Sequence, residues 1–239
     1  MRGKIRWESP NGNRYIIPEL EIEGRNSAFL ILDLQLAYAH PDYGLGRRLR
    51  GFEPLRHEYF YRRLGETVIP NVLKLQAFFR THRLPVIYTR MGLQLPNGKD
   101  LPPWSWRNAQ ARATSSTGTR TLYPLDAPEY NLLPEISPRS SELIVDKHSL
   151  SPFNSTPLDQ WLRNMKVENL VVCGIITDAA VEHTARNAGD RGYNVIVIED
   201  ACAALSKDEH EESFLYGGWF VAKSATHLMD ELSPLVQSE

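Results

Sequence analysis

Residues 169–186, which read NLVVCGIITDAAVEHTAR, decide the fold. The first five are mostly apolar and rich in β-branched side chains, which is typical of a strand buried on both faces. A tight turn follows at Gly174, and Thr177 and Asp178 are residue types that cap the N-terminus of a helix. The segment therefore predicts a strand, a turn and a helix whose first backbone N–H groups could stabilise a negative charge.

Four other segments share this apolar pattern, and helical patterns alternate with the strands. The alternation predicts one three-layer αβα domain, residues 1–239, built on a parallel sheet. The other strands are predicted at Ala28–Leu34, Pro85–Arg90, Glu142–Asp146 and Asn194–Ile198, with a sixth at Trp219–Ala222. Helices are predicted at Val68–His82, Pro157–Met165, Ala180–Arg191, Lys207–Tyr216 and Ala225–Leu232.

Composition excludes several classes of protein. Apolar residues make up 42% and charged residues 23% of the 239 residues, as in ordinary globular domains. The net charge of −2 gives no electrostatic reason to expect nucleic acid or a membrane surface as a partner. The N-terminus has no apolar segment of a secretory signal, and the two cysteines lie in apolar or small-residue contexts that suit reduced, buried thiols. We expect a cytoplasmic protein.

Two long stretches, 40–63 and 92–138, fit no helix or strand pattern. Long loops in a compact domain often form lids or contact a neighbouring subunit, so we expect either role for both. Ordinary surface loops are the alternative. Residues 1–26 are expected to form an N-terminal extension, and the protein is expected to be a homo-oligomer, either a dimer or a tetramer.

Polar residues stand at the carboxyl ends of three predicted strands, where parallel α/β sheets place their ligand sites. Asp33 ends the first strand, Lys147 follows the third, and Thr177 and Asp178 follow the fourth. Burying a carboxylate is costly unless a cation or a donor meets it, so Lys147 is the expected partner of Asp33. A functional site and a purely structural ion pair with a helix cap both fit this pattern.

A series of short motifs runs along the chain in a fixed order. The motifs are ILDLQ (31–35), YTR (88–90), DKHSLSPFNSTPLD (146–159), GIITDAAVEHTAR (174–186), DRGY (190–193) and VIEDACA (197–203). Some of them are weak alone, but the whole series resembles the isochorismatase-like (cysteine hydrolase) superfamily from Ala28 to about Leu232. The amidase branch, which includes biuret-hydrolase-like and ureidoacrylate-hydrolase-like members, is the most similar.

The resemblance implies a catalytic set of Asp, Lys and Cys that cleaves a C–N bond of a small amide or ureide through a thioester. Asp33 would act as general base and acid, and Lys147 would hold its carboxylate. The nucleophilic cysteine would fall on Ala180, which carries only a methyl group. The resemblance also implies a cis peptide bond between Ile175 and Ile176, with the N–H groups of Ile176 and Ala180 forming an oxyanion hole.

Three explanations of Ala180 remain open. An introduced Cys→Ala change would leave an inactive form of an amide or ureide hydrolase. A naturally thiol-free enzyme could instead hydrolyse a vinyl ether with Asp33 as the acid, as true isochorismatases do, although residues 176–178 lack the aromatic-Ala-His stretch typical of them. The third explanation is a non-catalytic binding or oligomerisation module, against which the retained Asp33 and Lys147 speak. Cys173 lies inside the predicted strand and is a poor substitute nucleophile.

Substrate contacts are expected from residues near strand ends or on the possible lid. Arg90 could grip a substrate carboxylate or carbonyl with its planar guanidinium, although a structural ion pair is equally compatible with its position. No cofactor and no metal are expected, because His40 and Asp42 occur in the wrong order for the metal element of the nicotinamidase branch. The expected binding residues are Gln35, Tyr38, Arg90, Trp104, Trp106, Phe153, Ile176 and Thr177.

Overall fold

The computed structural model describes residues 1–6, 16–114 and 120–237. Its main sheet has six parallel strands in the order β5-β4-β3-β6-β7-β8, flanked by helices, so the predicted fold class is confirmed. The strands of this sheet are β3 (Ser27–Leu32), β4 (Val86–Met91), β5 (Leu143–Lys147), β6 (Asn169–Ile175), β7 (Asn194–Ala203) and β8 (Val221–Lys223). Every residue of β3 and β6 is buried, as the apolar runs predict.

The order of the strands determines where a ligand site can form. From β3 the chain moves outward to β4 and β5, and then returns to place β6 on the other side of β3. The connections therefore leave β3 and β6 in opposite directions, which opens a crevice at their carboxyl ends. Asp33 directly follows β3, and Ile176–Ala180 directly follows β6. The fold thus brings these two segments to one edge of the sheet.

The helices lie between the strands in sequence. Helix α4 contacts β3, β4 and β7 and also packs against α9, whereas α7 packs against β7. The α-helices are α1 (Leu36–Ala39), α2 (Gly44–Phe52), α3 (Pro54–Arg63), α4 (Ile69–Thr81), α5 (Pro103–Ala113), α6 (Leu158–Asn164), α7 (Glu182–Asp190), α8 (Lys207–Leu215) and α9 (Ala225–Val236). No helix in the described part of the chain is long and apolar enough to cross a membrane.

The structure corrects the expectation that residues 40–63 lack regular structure, because α2 and α3 occupy most of this stretch. Glycine usually indicates a turn, but the glycines at 44 and 46 allow the helix to pack closely against other backbone. A Cβ on Gly44 would lie 2.3 Å from the carbonyl oxygen of Ala37, and one on Gly46 would lie 2.3 Å from that of Pro41. Whether this helical stretch contacts a neighbouring subunit stays a prediction.

The second stretch, 92–138, contains α5 and two short 3-10 helices, Pro128–Tyr130 and Pro134–Ile136, and the rest of its described part is irregular. Residues 115–119 of the expected lid lie outside the described residues. A bridge between Leu93 and Pro124 and the hydrogen bond from the Leu93 N–H to the carbonyl oxygen of Tyr123 (2.9 Å) connect the start of the stretch to the segment that follows α5. The irregular backbone is therefore anchored beside β4, and α5 is held over the carboxyl edge of the sheet.

The N-terminal extension contributes a small antiparallel sheet, β1 (Arg2–Ile5) paired with β2 (Leu20–Glu23). Ile5 and Ile22 are buried in the core, and Leu235 of α9 packs closely on Gly3. The described parts of the extension thus pack against the domain, while residues 7–15 lie outside the described residues.

Candidate active site

Asp33 lies at the end of β3 and is almost fully buried. One carboxylate oxygen, Oδ2, is 2.7 Å from the ammonium nitrogen of Lys147. The other, Oδ1, accepts a hydrogen bond from the Thr89 hydroxyl at 2.6 Å. Asp33 has φ 55°, a left-handed conformation that costs energy for a non-glycine residue and often occurs at functional sites. Both oxygens act as acceptors, which is what an ionised carboxylate offers.

Lys147 ends β5 and is completely buried, so its charge depends on partners within the protein. Its ammonium group donates to the carbonyl oxygens of Ser149 (3.1 Å) and Leu150 (2.9 Å) as well as contacting Asp33. All three N–H donors of the ammonium therefore have an acceptor. Because β4 lies between β5 and β3, the side chain crosses β4 to reach the carboxylate and passes the sulfur of Met91 at 3.8 Å.

The turn after β6 depends on Gly174. Its φ is 115°, and a Cβ at this position would lie 2.1 Å from the carbonyl oxygen of Leu32. The peptide bond between Ile175 and Ile176 is cis. The helical segment then begins with a π-helical turn, Thr177–Val181, that continues into α7. The turn thus places the first helical residues next to the carboxyl end of β3.

The predicted side-chain caps are wrong. Ile176 precedes the helical segment, and no side chain caps its first turn. The Thr177 hydroxyl instead bonds His210, because the ring nitrogen Nδ1 lies 2.9 Å away. A buried histidine that reaches the turn from α8 competes for the hydroxyl that sequence alone assigns to the cap.

His210 links the turn to α3. The guanidinium of Arg63 lies 2.7 Å from His210 Nε2, and arginine can only donate, so Nε2 must be the acceptor. Nδ1 therefore carries the proton and donates to Thr177. Burial and the nearby Arg63 charge lower the pKa of His210 to about 3, which keeps the ring neutral. This network was not predicted from the sequence, because Arg63 lies in the stretch interpreted as a loop.

A cavity of about 300 Å³ opens at this edge of the sheet. Asp33 and Lys147 line it on one side, and the segment from Ile175 to Ala180 contributes Ile175, Ile176, Ala179 and Ala180. The Ala180 methyl therefore faces the same space as the buried ion pair. Helix α5 forms another part of the wall.

Six of the residues proposed from sequence line the cavity, namely Asp33, Lys147, Ala180, Ile176, Tyr38 and Trp104. Burial and then the Asp33 charge raise the pKa of the Tyr38 phenol well above its usual range, so Tyr38 is a neutral hydrogen-bond donor. Trp104 is 72% exposed, which places it at the mouth of the cavity.

Gln35 and Arg90 do not line the cavity. The Gln35 amide donates to the carbonyl oxygen of Tyr130 (2.8 Å) and accepts from the Met91 N–H (2.7 Å), so it holds the backbone beside β4. The Arg90 guanidinium donates to both oxygens of Asp146 at 2.8 and 3.1 Å and lies over the Tyr130 ring. The structural alternative considered for Arg90 is therefore the one observed.

Trp106, Phe153 and Thr177 also lie away from the cavity walls. Trp106 packs with Met91, Leu93 and Leu101 in a small apolar cluster. Phe153 is a core residue whose ring lies 5.1 Å from the Arg191 guanidinium carbon. The residue type of Trp106, Phe153 and Thr177 fits either a cavity wall or the protein core, so it could not show which of the two each side chain joins.

Three polar residues of α5 also line the cavity and were not predicted: Ser105, Asn108 and Arg112. Together with Trp104 they recur at spacings of three and four residues, which places them on one face of a helix. The signal was present, because Pro103 at the first position favours a helix start. It was hidden by the surrounding proline-rich sequence.

Neither cysteine of the chain lines the cavity. Cys173 and Cys202 are unpaired thiols, both fully buried in β6 and β7. Burial raises the pKa of Cys173 well above its usual value and that of Cys202 to about 12. Both therefore stay protonated and are poor nucleophiles at neutral pH.

Comparison with known proteins agrees with the resemblance. Residues 27–226 match the model of the isochorismatase domain family. The chain is 30% identical over 208 residues to an uncharacterized isochorismatase family protein, YwoC, of Bacillus subtilis strain 168, which covers 87% of this chain and 93% of that protein. It is 24% identical over 210 residues to the ureidoacrylate amidohydrolase RutB of Acinetobacter baylyi, covering 84% of this chain and 82% of RutB. The crystal structure of a cysteine hydrolase from Pseudomonas syringae pv. phaseolicola has the same fold, with a TM-score of 0.71, 20% identity, and coverage of 97% and 99%.

Proposed function

Because the chain belongs to the isochorismatase domain family, we propose that its cavity binds a small amide or ureide in a frame built for C–N bond hydrolysis. The observation that carries this proposal is that the Asp33–Lys147 pair and the Ala180 methyl face one cavity. Ureidoacrylate amidohydrolases are among the relatives of the chain, and a ureide is the substrate that their name states.

Hydrolysis of the C–N bond in this frame requires a thiol at position 180. A thiolate there would attack the carbonyl carbon, the C–N bond would break, and Asp33 would pass the thiol proton to the leaving nitrogen. Water deprotonated by Asp33 would then release the acyl group and restore the thiol. Backbone N–H groups of Ile176 and residue 180 would stabilise the oxyanion. Lys147 would orient the carboxylate throughout, because its ammonium is held by two backbone carbonyls.

Ala180 has no sulfur, so this chain cannot form the acyl-enzyme at that position. Loss of a catalytic nucleophile lowers kcat by on the order of 10⁶-fold in well-studied hydrolases. We therefore propose that the chain as it stands binds substrate without acylation, in the manner of a Cys→Ala form.

Hydrolysis of a vinyl ether with Asp33 as the acid is the second candidate, and the thiol-free cavity favours it. The hydrogen bonds around Asp33 weigh against it. Thr89 and Lys147 direct donors at both oxygens, which suits a carboxylate base better than a carboxylic acid.

The Ala180→Cys substitution tests the proposal. The variant should give a covalent acyl adduct, detected by intact-protein mass spectrometry, and burst kinetics with simple amides and ureides. Ala179→Cys is the matched control, because Ala179 also lines the cavity and moves the sulfur by one residue. It should give no adduct.

Asp33→Asn in the Ala180→Cys background should abolish release of the leaving amine. A folded Ala180→Cys protein that neither binds nor is acylated by any amide or ureide would refute the proposal. Turnover of an enol ether by the unaltered chain, lost in Asp33→Asn, would establish the second candidate instead. A protein that turns over neither class in either form would be a non-catalytic member of the family.

A further inference from the structure

The cavity wall contains a buried hydroxyl to which no described residue bonds. Thr121 lines the cavity, and only 5% of the residue is exposed. Its hydroxyl makes no hydrogen bond within residues 1–6, 16–114 and 120–237, and the surrounding atoms do not seal its oxygen off from the cavity. A buried hydroxyl without a partner costs free energy, so its position in a cavity wall indicates a ligand that bonds it there.

Asn108 adds a second neutral group of the same kind. It lies on α5, lines the cavity and is partly buried, and its side-chain amide bonds no residue in the described part of the chain. An amide and a hydroxyl can each donate and accept a hydrogen bond. Asn108 and Thr121 therefore offer a ligand hydrogen bonds in both directions without supplying a charge.

The charged groups of the wall are already engaged within the protein. The Lys147 ammonium is held by Asp33 and by the carbonyl oxygens of Ser149 and Leu150. Arg112 also interacts with other groups of the protein. A carboxylate that enters the cavity would lose its water without gaining a cation of its own, and it would join the Asp33 carboxylate in the same space. The wall therefore favours a ligand that carries no charge.

Most other side chains of the wall are apolar. Met91, Leu122, Leu150 and Ile175 are among them. The cavity of about 300 Å³ is at the lower end of the range for small-molecule sites. A bound molecule should therefore be small, with a short hydrocarbon segment between its polar groups.

We propose that Thr121 and Asn108 form a subsite for an uncharged hydrogen-bonding group at the far end of the ligand, so that the cavity selects neutral bifunctional amides and ureides over anionic ones. A primary carboxamide fits the subsite, because it donates and accepts at once and can meet both side chains. This inference rests on the proposed function and adds the second group that the substrate carries and the residues that recognise it.

Calorimetric titration of the full chain tests the subsite without requiring turnover. The probes are ureides joined through one to three methylenes to a carboxamide, to a carboxylate or to an isopropyl group, which has nearly the shape of a carboxamide. The carboxamide should bind at least about 10-fold more tightly than the carboxylate.

Two variants assign this selectivity to the two residues. Thr121→Val keeps the shape of the side chain and removes the hydroxyl. It should lower the ratio of the isopropyl Kd to the carboxamide Kd by about 2- to 12-fold, which is the range for one neutral hydrogen bond. Asn108→Leu should lower the ratio by a similar factor.

Thr114→Val is the matched control, because Thr114 is exposed at the end of α5, does not line the cavity, and donates its hydroxyl to the carbonyl oxygen of Gln110. It should leave the ratio unchanged. An equal fall in Thr114→Val and Thr121→Val would overturn the inference, because the effect would then not belong to the cavity.

A carboxylate that binds as tightly as the carboxamide would also overturn the inference, and so would an unchanged ratio in both Thr121→Val and Asn108→Leu. In each of these cases, acylation of Ala180→Cys by a simple ureide would leave the proposed function standing. Absence of binding by every ureide, together with no acylation of Ala180→Cys, would refute both.

Discussion

Breaking the buried ion pair from one side should destabilise the protein far more than removing both charges together. Lys147→Met leaves the Asp33 carboxylate buried with one side-chain donor, the Thr89 hydroxyl. Asp33→Asn leaves the Lys147 ammonium with its two backbone acceptors and an amide in place of the carboxylate. The double variant removes both charges and leaves no unpaired ion in the core.

The magnitude follows from the geometry. Two unit charges at the observed 2.7 Å attract by about 6 kcal/mol when the effective dielectric constant is about 20. Desolvation offsets part of this, and removing one partner of a buried pair typically costs about 3–5 kcal/mol. We expect that cost for Lys147→Met, and a somewhat smaller one for Asp33→Asn. The unfolding free energy lost in the double variant should be about 2 kcal/mol smaller than the sum of the losses in the two single variants.

Urea denaturation followed by circular dichroism gives the free energy of unfolding of each protein in the cycle. The melting temperature should fall by about 6–20 °C in Lys147→Met, since each kcal/mol shifts it by about 2–4 °C in a domain of this size. Lys223→Met serves as a control, because Lys223 is a buried lysine that pairs with Glu231 at 2.8 Å and does not line the cavity. Its cycle with Asp33→Asn should be additive.

Additivity of the Asp33 and Lys147 changes to within about 0.5 kcal/mol would refute the reasoning. It would mean that the two groups do not share one interaction in the folded protein.

Two further results are expected. Gly174→Ala should cost about 3 kcal/mol or more of unfolding free energy, because the new Cβ would meet the carbonyl oxygen of Leu32 at 2.1 Å. Gly192→Ala, whose φ is also positive but whose Cβ would meet nothing within 4 Å, should cost only about 1–2 kcal/mol in the same urea titration. Burial raises the pKa of Glu142 but hydrogen bonds from groups such as Arg80 outweigh it, so the pKa lies below 4.5 in the folded protein. Its stabilising effect is therefore complete above pH 4.5 and is lost as the pH falls through the lowered value. The difference in unfolding free energy between the unaltered chain and Glu142→Gln should shrink in that window, and a constant difference would contradict the assignment.

Much of the fold was predictable, because each strand of a parallel sheet is a local apolar run. The strand predicted at Asn169–Cys173 continues for two more residues, to Ile175, in the structure, and the strand predicted at Pro85–Arg90 lies one residue later, at Val86–Met91. The last strand was placed at Trp219–Ala222 and lies at Val221–Lys223. Such small errors are expected, since strand ends depend on pairing with neighbours that periodicity does not describe.

The helices in 40–63 could not be predicted as readily. Gly44 and Gly46 are turn-forming residues by type, and only the close approach of other backbone shows that they serve packing. The expectation that Arg90 lies in the cavity was wrong for a similar reason. Arg90 and Asp146 are direct neighbours in the register of β4 and β5, so they pair with each other, and a distant residue, Arg112, faces the cavity instead.

The sequence by itself determined the parallel sheet, the carboxylate at the end of β3, the lysine at the end of β5 and the absence of a thiol at Ala180, because these follow from local patterns and residue identity. Only the tertiary structure decided that Arg112 faces the cavity, that Thr177 bonds His210 and that Arg90 is occupied by Asp146. Which polar groups meet depends on strand order and helix packing between residues far apart in the chain, and local periodicity carries no information about those distances.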